Sequence, residues 1–379
     1  MIRALLDDPG VSIMATGFLV GAAAATLGPF LILRRAAMLS DAISHSIVFG
    51  IVMVWLLTGA VDGPVQILGA ALTGVLTVVL TELVAATGRV KNDAAIGLVF
   101  PALFAAGVLL LNLYASDVHI DTHTVLLGEI GFVWLDTVEV AGVDVARALV
   151  WMAVVAAVDL GFVLLFWKEL KVGTFDPVLA HAMGLAPRAL FYGLLFLTSG
   201  TAVAAFDAVG AILFIAFVVM PPATAYLLTD RLGRMVPIGV AVAGVSSVAG
   251  YWLAVHWDVS ISGMMAVVTG ACLGLAVLAA PRHGVVAALI RRARVAREAE
   301  THALVVHLAT HEGRAERREE NVAAALRLHL DWPAARAQAV LGKGIAAGLV
   351  RREGEALHLT DTGRRAAEAL LEPWRRGGG

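Results

Sequence analysis

Residues 34–45 read RRAAMLSDAISH, a charged cluster between two almost purely hydrophobic runs, residues 11–33 and 47–57. Asp41 and His45 are four residues apart, so on a helix they share one face and can converge on one ligand. Ionisable side chains cost free energy at membrane depth and therefore tend to mark polar pathways. A carboxylate oxygen beside an imidazole nitrogen suits a divalent transition metal. The cluster predicts a metal pathway through a bilayer, and a hydrogen-bonded pair that only joins two helices is the alternative.

The composition indicates a membrane protein. Hydrophobic residues make up 59% of the 379 residues and charged residues 15%, with a mean hydropathy of +0.84. In soluble domains, about 45–50% of the residues are hydrophobic and about 25% are charged. The net charge of −2 gives no bulk attraction to nucleic acid or to an anionic surface. The single cysteine, Cys272, excludes a disulfide framework and a cysteine zinc site within one chain.

The apolar runs have the length that a bilayer requires, which is about 20 residues for a hydrocarbon core of about 30 Å. We predict nine spans, with eight or ten as alternatives because the hairpin expected near Phe206 and Asp207 is very tight. The first run is too long for a signal peptide and is interpreted as a retained span. The predicted spans are residues 11–33, 37–57, 65–87, 94–115, 145–167, 187–205, 209–228, 235–256 and 261–280.

Charge alternates between the connections of these spans. Acidic residues dominate one set of connections and basic residues the other, which places the basic side in the cytoplasm. The N-terminus is then expected outside and the long C-terminal tail inside. The basic connections contain Arg34 and Arg35, Arg89 and Lys91, Lys168 and Lys171, Arg231 and Arg234, and Arg282.

Residues 116–143 form an outer segment whose apolar centre, 125–134, is expected to be a helix lying against the spans. Asp121 and His123, with His119, are candidate ligands that receive metal from a binding protein; a solvated loop with incidental histidines is the alternative. Asp207 lies at the turn between two spans. It is interpreted either as the N-cap of the following span or as an acidic gate on the same pathway.

Phe175, Asp176 and Pro177 open a short helix, predicted at 177–184, on the basic side of the membrane. Asp176 is a suitable N-cap and Pro177 suits the first helical position. A well-capped loop helix is the simplest interpretation, and a helix that couples the protein to a partner is the functional one.

The composition changes after Pro281. Residues 285–300 form a basic amphipathic linker helix, and residues 301–379 are predicted to be a small soluble domain. Helices are expected at 301–311, 316–329, 333–348 and 361–372, with two short strands around Glu353 and Gly354. This order describes a winged helix. The predicted fold class is an all-α polytopic membrane domain, residues 1–284, followed by a small α+β domain.

Residues 27–50, which include Asp41 and His45, resemble the signature of the manganese/zinc/iron ABC transporter permeases. The resemblance continues in register over about residues 11–284, with one departure at Ser40, where glycine is usual. The hydroxyl of Ser40 is either a weak ligand or a bond back to its own helix. The other matching segments are KNDAAIGLVF at 91–100, LLGEI at 126–130, KELKVGTFDP at 168–177, FDAVGAIL at 206–213 and MPPATA at 220–225.

This resemblance implies an importer subunit of the bacterial cytoplasmic membrane. It carries the pathway role over to Asp41 and His45 and the ATPase-coupling role to the Phe175-Asp176-Pro177 loop. The implied partners are an ABC ATPase, an extracytoplasmic metal-binding protein, a second permease subunit and membrane lipid. No phosphate-binding loop of the form GxxxxGK[ST] is present, so ATP hydrolysis belongs to a partner. The cargo is Mn, Zn or Fe, and no permanently bound cofactor is expected.

The C-terminal segments LGKGIAAGLVRR at 341–352 and LHLTDTGRRAAEAL at 357–370 resemble the winged helix of diphtheria-toxin-repressor-type regulators. The expected recognition helix offers only Arg336 and Lys343, so a regulatory role is favoured over DNA binding. Alternative functions are a proton-coupled metal transporter and a membrane-tethered, metal-responsive DNA-binding regulator. Candidate metal-sensing or simple surface histidines are His302, His307, His311, His329 and His358.

Overall fold

The structure, a computed structural model, describes residues 8–59, 64–114, 128–140, 142–314 and 317–376. The chain divides into two units, Met1–Gly284 and Val285–Gly379, each with its own hydrophobic core.

The apolar runs of the first unit form helices, because a helix satisfies its backbone hydrogen bonds within the segment. Among the described residues, nine helical segments are long and apolar enough to cross a membrane, in agreement with the predicted number. The helices of this unit are α1 (Pro9–Leu33), α2 (Ala37–Thr58), α3 (Pro64–Ala86), α4 (Asn92–Tyr114), α5 (Arg147–Leu165), α6 (Trp167–Phe175), α7 (Pro177–Ala182), α8 (Pro187–Leu228), α9 (Leu232–Trp257) and α10 (Ile261–Ala279).

Helix α8 contains two of the nine spans, Pro187–Phe206 and Ala208–Leu228. The turn expected near Phe206 and Asp207 is displaced along the chain, because the backbone stays helical through both residues. The break lies instead at Gly210, whose φ of 77° and ψ of 166° are non-helical. Glycine reaches a positive φ without the steric penalty of a side chain, so the chain changes direction where glycine permits it.

Helix α1 lies inside the unit and packs against α5, α8 and α9. Ala23, Ala24 and Ala25 are fully buried. At Gly28, an added Cβ would overlap the Val218 carbonyl oxygen of α8. Small residues therefore allow these backbones to approach closely, as is usual between helices in a membrane. Helix α2 packs against α3, α4 and α8.

The outer segment differs from the expected helix over 125–134. Residues 125–127 lie outside the described part of the chain, and a single 3-10 turn, Ile130–Phe132, follows. Ile130 is buried, and the turn contacts α1 and α10. Beyond it, β1 (Thr137–Val140) pairs antiparallel with β2 (Val143–Ala146), a hairpin that the sequence analysis did not predict. Gly128, with a φ of 65°, prevents a regular helix from continuing through this segment.

Contacts bring the connection from α8 to α9 next to the residues that follow α10. The Asp230 carboxylate contacts His283 at 3.0 Å and accepts a hydrogen bond from Arg282 at 2.5 Å. These two partners hold the pKa of Asp230 below its ordinary value. The connection from α8 to α9 therefore lies beside the end of α10.

The second unit contains five helices and one hairpin in its described part. Its core is built from apolar residues of the helices and of the hairpin, such as Leu304, Leu326, Val340 and Leu357. The elements are α11 (Val285–His311), α12 (Arg317–Glu320), α13 (Ala323–His329), α14 (Ala334–Ala346), β3 (Val350–Glu353), β4 (Ala356–Leu359) and α15 (Asp361–Arg376).

Two details of this unit differ from expectation. The linker helix and the first domain helix are one continuous helix, α11, because no helix-breaking residue separates 285–300 from 301–311. The helix expected at 316–329 is divided at Asn321 and Val322. There, Val322 bridges to Ala356 and the Asn321 carbonyl accepts a hydrogen bond from Leu357 N, so the backbone pairs with β4 instead of continuing a helix.

Candidate functional site

Asp41 and His45 lie one turn apart on α2, as their spacing predicts. Asp41 Oδ1 is 3.6 Å from His45 Nε2, and each side chain is a little over one third exposed in the single chain. The two groups therefore face an open region of the unit, in which a carboxylate and an imidazole can bind one cation.

The serines that directly precede Asp41 and His45 on α2 are buried, unlike Asp41 and His45 themselves. Ser40 and Ser44 are buried, and each hydroxyl donates to a carbonyl of its own helix: Ser40 to Ala37 at 2.6 Å and Ser44 to Ser40 at 2.8 Å. The hydroxyl of Ser40 thus bonds back to its helix, which is one of its two predicted roles.

Two aromatic rings of α4 flank His45. The Phe100 ring is stacked on the imidazole with centroids 5.8 Å apart, and the Phe104 ring meets it edge-on at 6.4 Å. These rings limit the orientations of His45 and cover it with apolar surface. Sequence analysis did not assign Phe104 a role, although its spacing of four residues from Phe100 places both on one helical face.

Arg34 connects α1 with the segment that precedes α7. Its guanidinium donates from Nη2 to the Gly173 carbonyl oxygen at 2.6 Å and from Nε to Thr174 Oγ1 at 3.4 Å. The same group lies 4.7 Å from the centroid of the Phe191 ring. From the sequence, Arg34 is predicted only to mark the basic side of the membrane, and no local sequence pattern indicates these contacts.

Helix α7 begins as its cap predicts. Asp176 Oδ1 accepts a hydrogen bond from Leu179 N at 2.8 Å, and Pro177 is the first helical residue. The helix ends at Ala182, two residues earlier than expected, and Gly184 follows with a φ of 79°. Its surroundings present exposed apolar side chains, namely Phe175, Val178, Leu179 and Met183.

The structure gives less about the other predicted site residues. Asp121, His123 and His119 lie outside the described residues. Asp207 lies in a helical segment three residues before the Gly210 kink, and its side chain is outside the described part of the structure. Glu129 is exposed at the start of the 3-10 turn.

The Gly210 kink contacts the outer segment directly. A Cβ placed on Gly128 would overlap the Val209 carbonyl group and the Gly210 nitrogen. Gly128 of the segment LLGEI and Gly210 of the segment FDAVGAIL are therefore in backbone contact, although about 80 residues separate them in the sequence.

Asp159 on α5 is a buried acid with no role predicted from the sequence. Its side chain is almost fully buried, and Oδ2 accepts a hydrogen bond from Thr201 Oγ1 of α8 at 2.7 Å. Its isolation as the only acid within the apolar run 147–165 was a signal that could have identified it.

Comparisons with known proteins cover both units. The family model described as the ABC 3 transport family matches residues 11–280. The zinc transport system membrane protein TroD of Treponema pallidum (strain Nichols) is 43% identical over 362 residues, which are 96% of this chain and 99% of that protein. The manganese transport system membrane protein MntD of Bacillus subtilis (strain 168) is 45% identical over 287 residues, 76% of this chain and 97% of that protein.

One solved structure is also similar. It is described as PsaBC from Streptococcus pneumoniae in complex with Fab, and the TM-score is 0.62 with 26% sequence identity. The match covers 75% of this chain and 98% of the matched chain in that structure.

Proposed function

The chain belongs to the ABC 3 transport family, and from this premise we propose which of its residues carry the metal and which couple it to ATP. Family membership makes the chain a multi-pass membrane permease subunit of an importer for divalent transition-metal ions. A partner ATPase hydrolyses the ATP. The proton-coupled alternative is therefore not adopted.

Asp41 and His45 are proposed as ligands of the translocated ion. The observation that carries this proposal is their 3.6 Å approach on the open face of α2, beneath Phe100 and Phe104. Two ligands from one chain bind an ion weakly, which a transport pathway requires. We propose that a second permease subunit, identical or paralogous, contributes another pair, and that four groups then replace part of the hydration shell.

The ion itself favours this arrangement. Its positive charge offsets the cost of placing the Asp41 carboxylate at membrane depth and favours the neutral form of His45. Phe100 and Phe104 exclude water on one side, so the ion exchanges its shell on the other. Asp121, His123 and Asp207 are proposed, from their positions in the sequence alone, as further acidic or imidazole groups along the outer part of the route.

Helix α7 is proposed as the element that docks to the ATPase. Its cap holds a short rigid helix, and the exposed side chains of Phe175, Val178 and Met183 offer an apolar contact surface. The Arg34 contacts to Gly173 and Thr174 link this segment to the end of α1. Movement of α7 is thereby transmitted to the helices around the pathway.

The second unit is proposed as a cytoplasmic winged-helix domain with a regulatory role. Its hairpin between α14 and α15 corresponds to the wing. Two of its basic residues are already paired with acids: Arg336 donates to Glu300 at 2.6 and 2.9 Å, and Arg351 contacts Glu353 at 2.9 Å. This pairing favours regulation of the permease over the alternative of a DNA-binding regulator.

Metal uptake in cells tests the proposed ligands. We expect Asp41→Asn and His45→Gln each to abolish accumulation of radioactive Mn²⁺ or Zn²⁺, because the pathway loses half of the ligands supplied by each chain. Thr58→Val, at the far end of α2, is the matched control for insertion and expression, since the Thr58 hydroxyl donates to Val54 O of its own helix. Full uptake by both ligand variants, at normal protein levels, would refute the assignment.

A further inference from the structure

Three segments of the second unit converge on one point. His307 is near the end of α11, Glu320 ends α12 and His329 ends α13. One ligand atom from each of these three side chains lies within 4.8 Å of the other two. Among the described residues, these are the histidine, cysteine or carboxylate side chains that come together, at least three at a time, closely enough to hold a metal ion.

The side chains of this cluster point toward one another. His329 Nδ1 forms an ion pair with Glu320 Oε2. The centroids of the His307 and His329 rings are 5.9 Å apart, and the His311 ring, one turn further along α11, lies 4.9 Å from that of His307. A fourth imidazole is therefore adjacent to the three groups.

Burial of His307 and of one Glu320 oxygen distinguishes this cluster from incidental surface histidines, although His329 itself is exposed. His307 is only 9% exposed, and Glu320 Oε2 is buried. Buried polar groups of this kind need partners or a bound ion. In contrast, His302 and His358 are not part of the cluster, and His358 pairs instead with Glu353 at 3.7 Å.

The backbone around Glu320 is held in place by the core. Asn321 Nδ2 donates to the Leu308 carbonyl at 3.2 Å, and the Asn321 carbonyl accepts from Leu357 N at 2.8 Å. His307 Nε2 lies 3.3 Å from the Glu320 carbonyl oxygen. Contacts that orient ligands in this way are characteristic of pre-organised metal sites.

The donor set indicates the class of ion. Two imidazoles and a carboxylate suit Zn²⁺, Mn²⁺, Fe²⁺ and Co²⁺. Ligation needs the neutral imidazole, so binding of the ion is coupled to loss of any proton on the ligating nitrogens. Residues 285–379 contain no cysteine, so a thiolate site for softer ions is excluded there.

We propose that His307, Glu320 and His329 bind one divalent transition-metal ion, with His311 as an additional ligand. The site lies in three segments that pack onto the core of the second unit, so an ion there ties α11, α12 and α13 together. Its role as a sensor of the imported ion rests on the proposed function, since it assumes a cytoplasmic second unit in a metal importer.

Equilibrium binding of Co²⁺ to the full-length protein tests the site. The pathway is first silenced with Asp41→Asn and His45→Gln, and the protein is freed of metal with a chelator. We expect one bound Co²⁺ per chain with a d–d absorption spectrum, displaced by Zn²⁺. Glu320→Gln, His307→Gln and His329→Gln should each weaken binding at least about tenfold, because even outer-shell changes cost about 10–100-fold. His358→Gln is the matched control and should bind normally.

Circular dichroism of the metal-free variants shows whether each one is folded. If a histidine variant is unfolded, the Co²⁺ affinity of Glu320→Gln is used instead, because this substitution preserves the shape of the side chain. Equal Co²⁺ affinity in Glu320→Gln and in its silenced parent would overturn the site, as would no bound Co²⁺ in the parent.

Uptake into proteoliposomes tests the sensing role. The permease is reconstituted with its ATPase and its second permease subunit, the metal-binding protein is supplied outside, and the lumen contains ATP and a buffered concentration of Zn²⁺ or Mn²⁺. We expect high luminal metal to reduce uptake by the native chain, so that uptake at high luminal metal divided by uptake at low luminal metal is below one. With Glu320→Gln this ratio should approach one, because the site no longer binds the ion. Identical ratios for both proteins would overturn sensing alone. No ATP-dependent uptake by the native chain at low luminal metal would instead contradict the proposed function.

Discussion

Gly128 and Gly210 adopt backbone conformations that other residues reach only with strain. Their φ values are 65° and 77°, and the two backbones meet without intervening side chains. A side chain at Gly128 would therefore add both conformational strain and a steric overlap, and a side chain at Gly210 would add conformational strain. This contact joins the outer segment to the kink between two spans.

Gly128→Ala should destabilise the protein more than Gly88→Ala. Both glycines have a positive φ, so both substitutions carry strain of about 1–2 kcal/mol. Only at Gly128 does the new Cβ overlap backbone atoms, which adds about 1–3 kcal/mol of overpacking, while Gly88 has open space. Thermal unfolding of the detergent-purified proteins measures the difference. Equal melting temperatures would show that the two backbones are not in contact.

Asp159 illustrates a residue whose role depends on a neighbour far away in sequence. One oxygen of its carboxylate, Oδ2, accepts a hydrogen bond at 2.7 Å from Thr201, a residue of another helix, whereas Oδ1 is buried without a hydrogen-bond partner among the described residues. Hydropathy marks the acid as unusual, but only the packing of α5 against α8 provides the donor. The same is true of Glu82 on α3, which accepts a hydrogen bond from Tyr192 of α8 at 2.6 Å.

Among the elements, α7 depends most on local chemistry. Its six residues are too few to form a stable helix in isolation, since helix nucleation is unfavourable. The cap from Asp176 and the fixed φ of Pro177 offset this cost at the N-terminus. The exposed apolar residues around it are then presented in a defined geometry.

Asp176→Ala should uncouple ATP hydrolysis from transport. Loss of the cap costs about 1 kcal/mol of helix stability and loosens the proposed docking surface. We expect lower metal uptake per ATP hydrolysed in the reconstituted complex. Asp176→Asn retains an acceptor for Leu179 N and should preserve coupling, so it is the matched control. A normal ratio of uptake to hydrolysis in Asp176→Ala would count against the role of this helix.

At the scale of the whole molecule, the two units are separable in the comparisons. MntD of Bacillus subtilis matches over 287 residues, almost its entire length, whereas TroD of Treponema pallidum matches over 96% of this chain. The match to MntD is about as long as the membrane unit, residues 1–284, whereas the match to TroD is long enough to include most of the second unit as well.

A chain that ends at Gly284 should retain transport. We expect ATP-dependent uptake within about twofold of the full-length chain, because the pathway residues and α7 all lie in the first unit, with no stabilisation lost from its core. Uptake assays in cells, corrected for the amount of protein in the membrane, measure this. Complete loss of uptake by a correctly inserted truncated protein would show that the second unit is part of the transport mechanism.

The sequence by itself determined the membrane class, nine spans, the face shared by Asp41 and His45, and the cap of α7. All of these follow from local hydropathy, helical periodicity or adjacent residues, which act over a few turns of chain. Only the tertiary structure decided that Phe100 and Phe104 pack against His45 and that the backbones of Gly128 and Gly210 are in contact. It also decided the hydrogen bonds of Arg34 to Gly173 and Thr174, and the cluster of His307, Glu320 and His329. Those contacts join segments distant in sequence, and their geometry depends on how closely the helices pack.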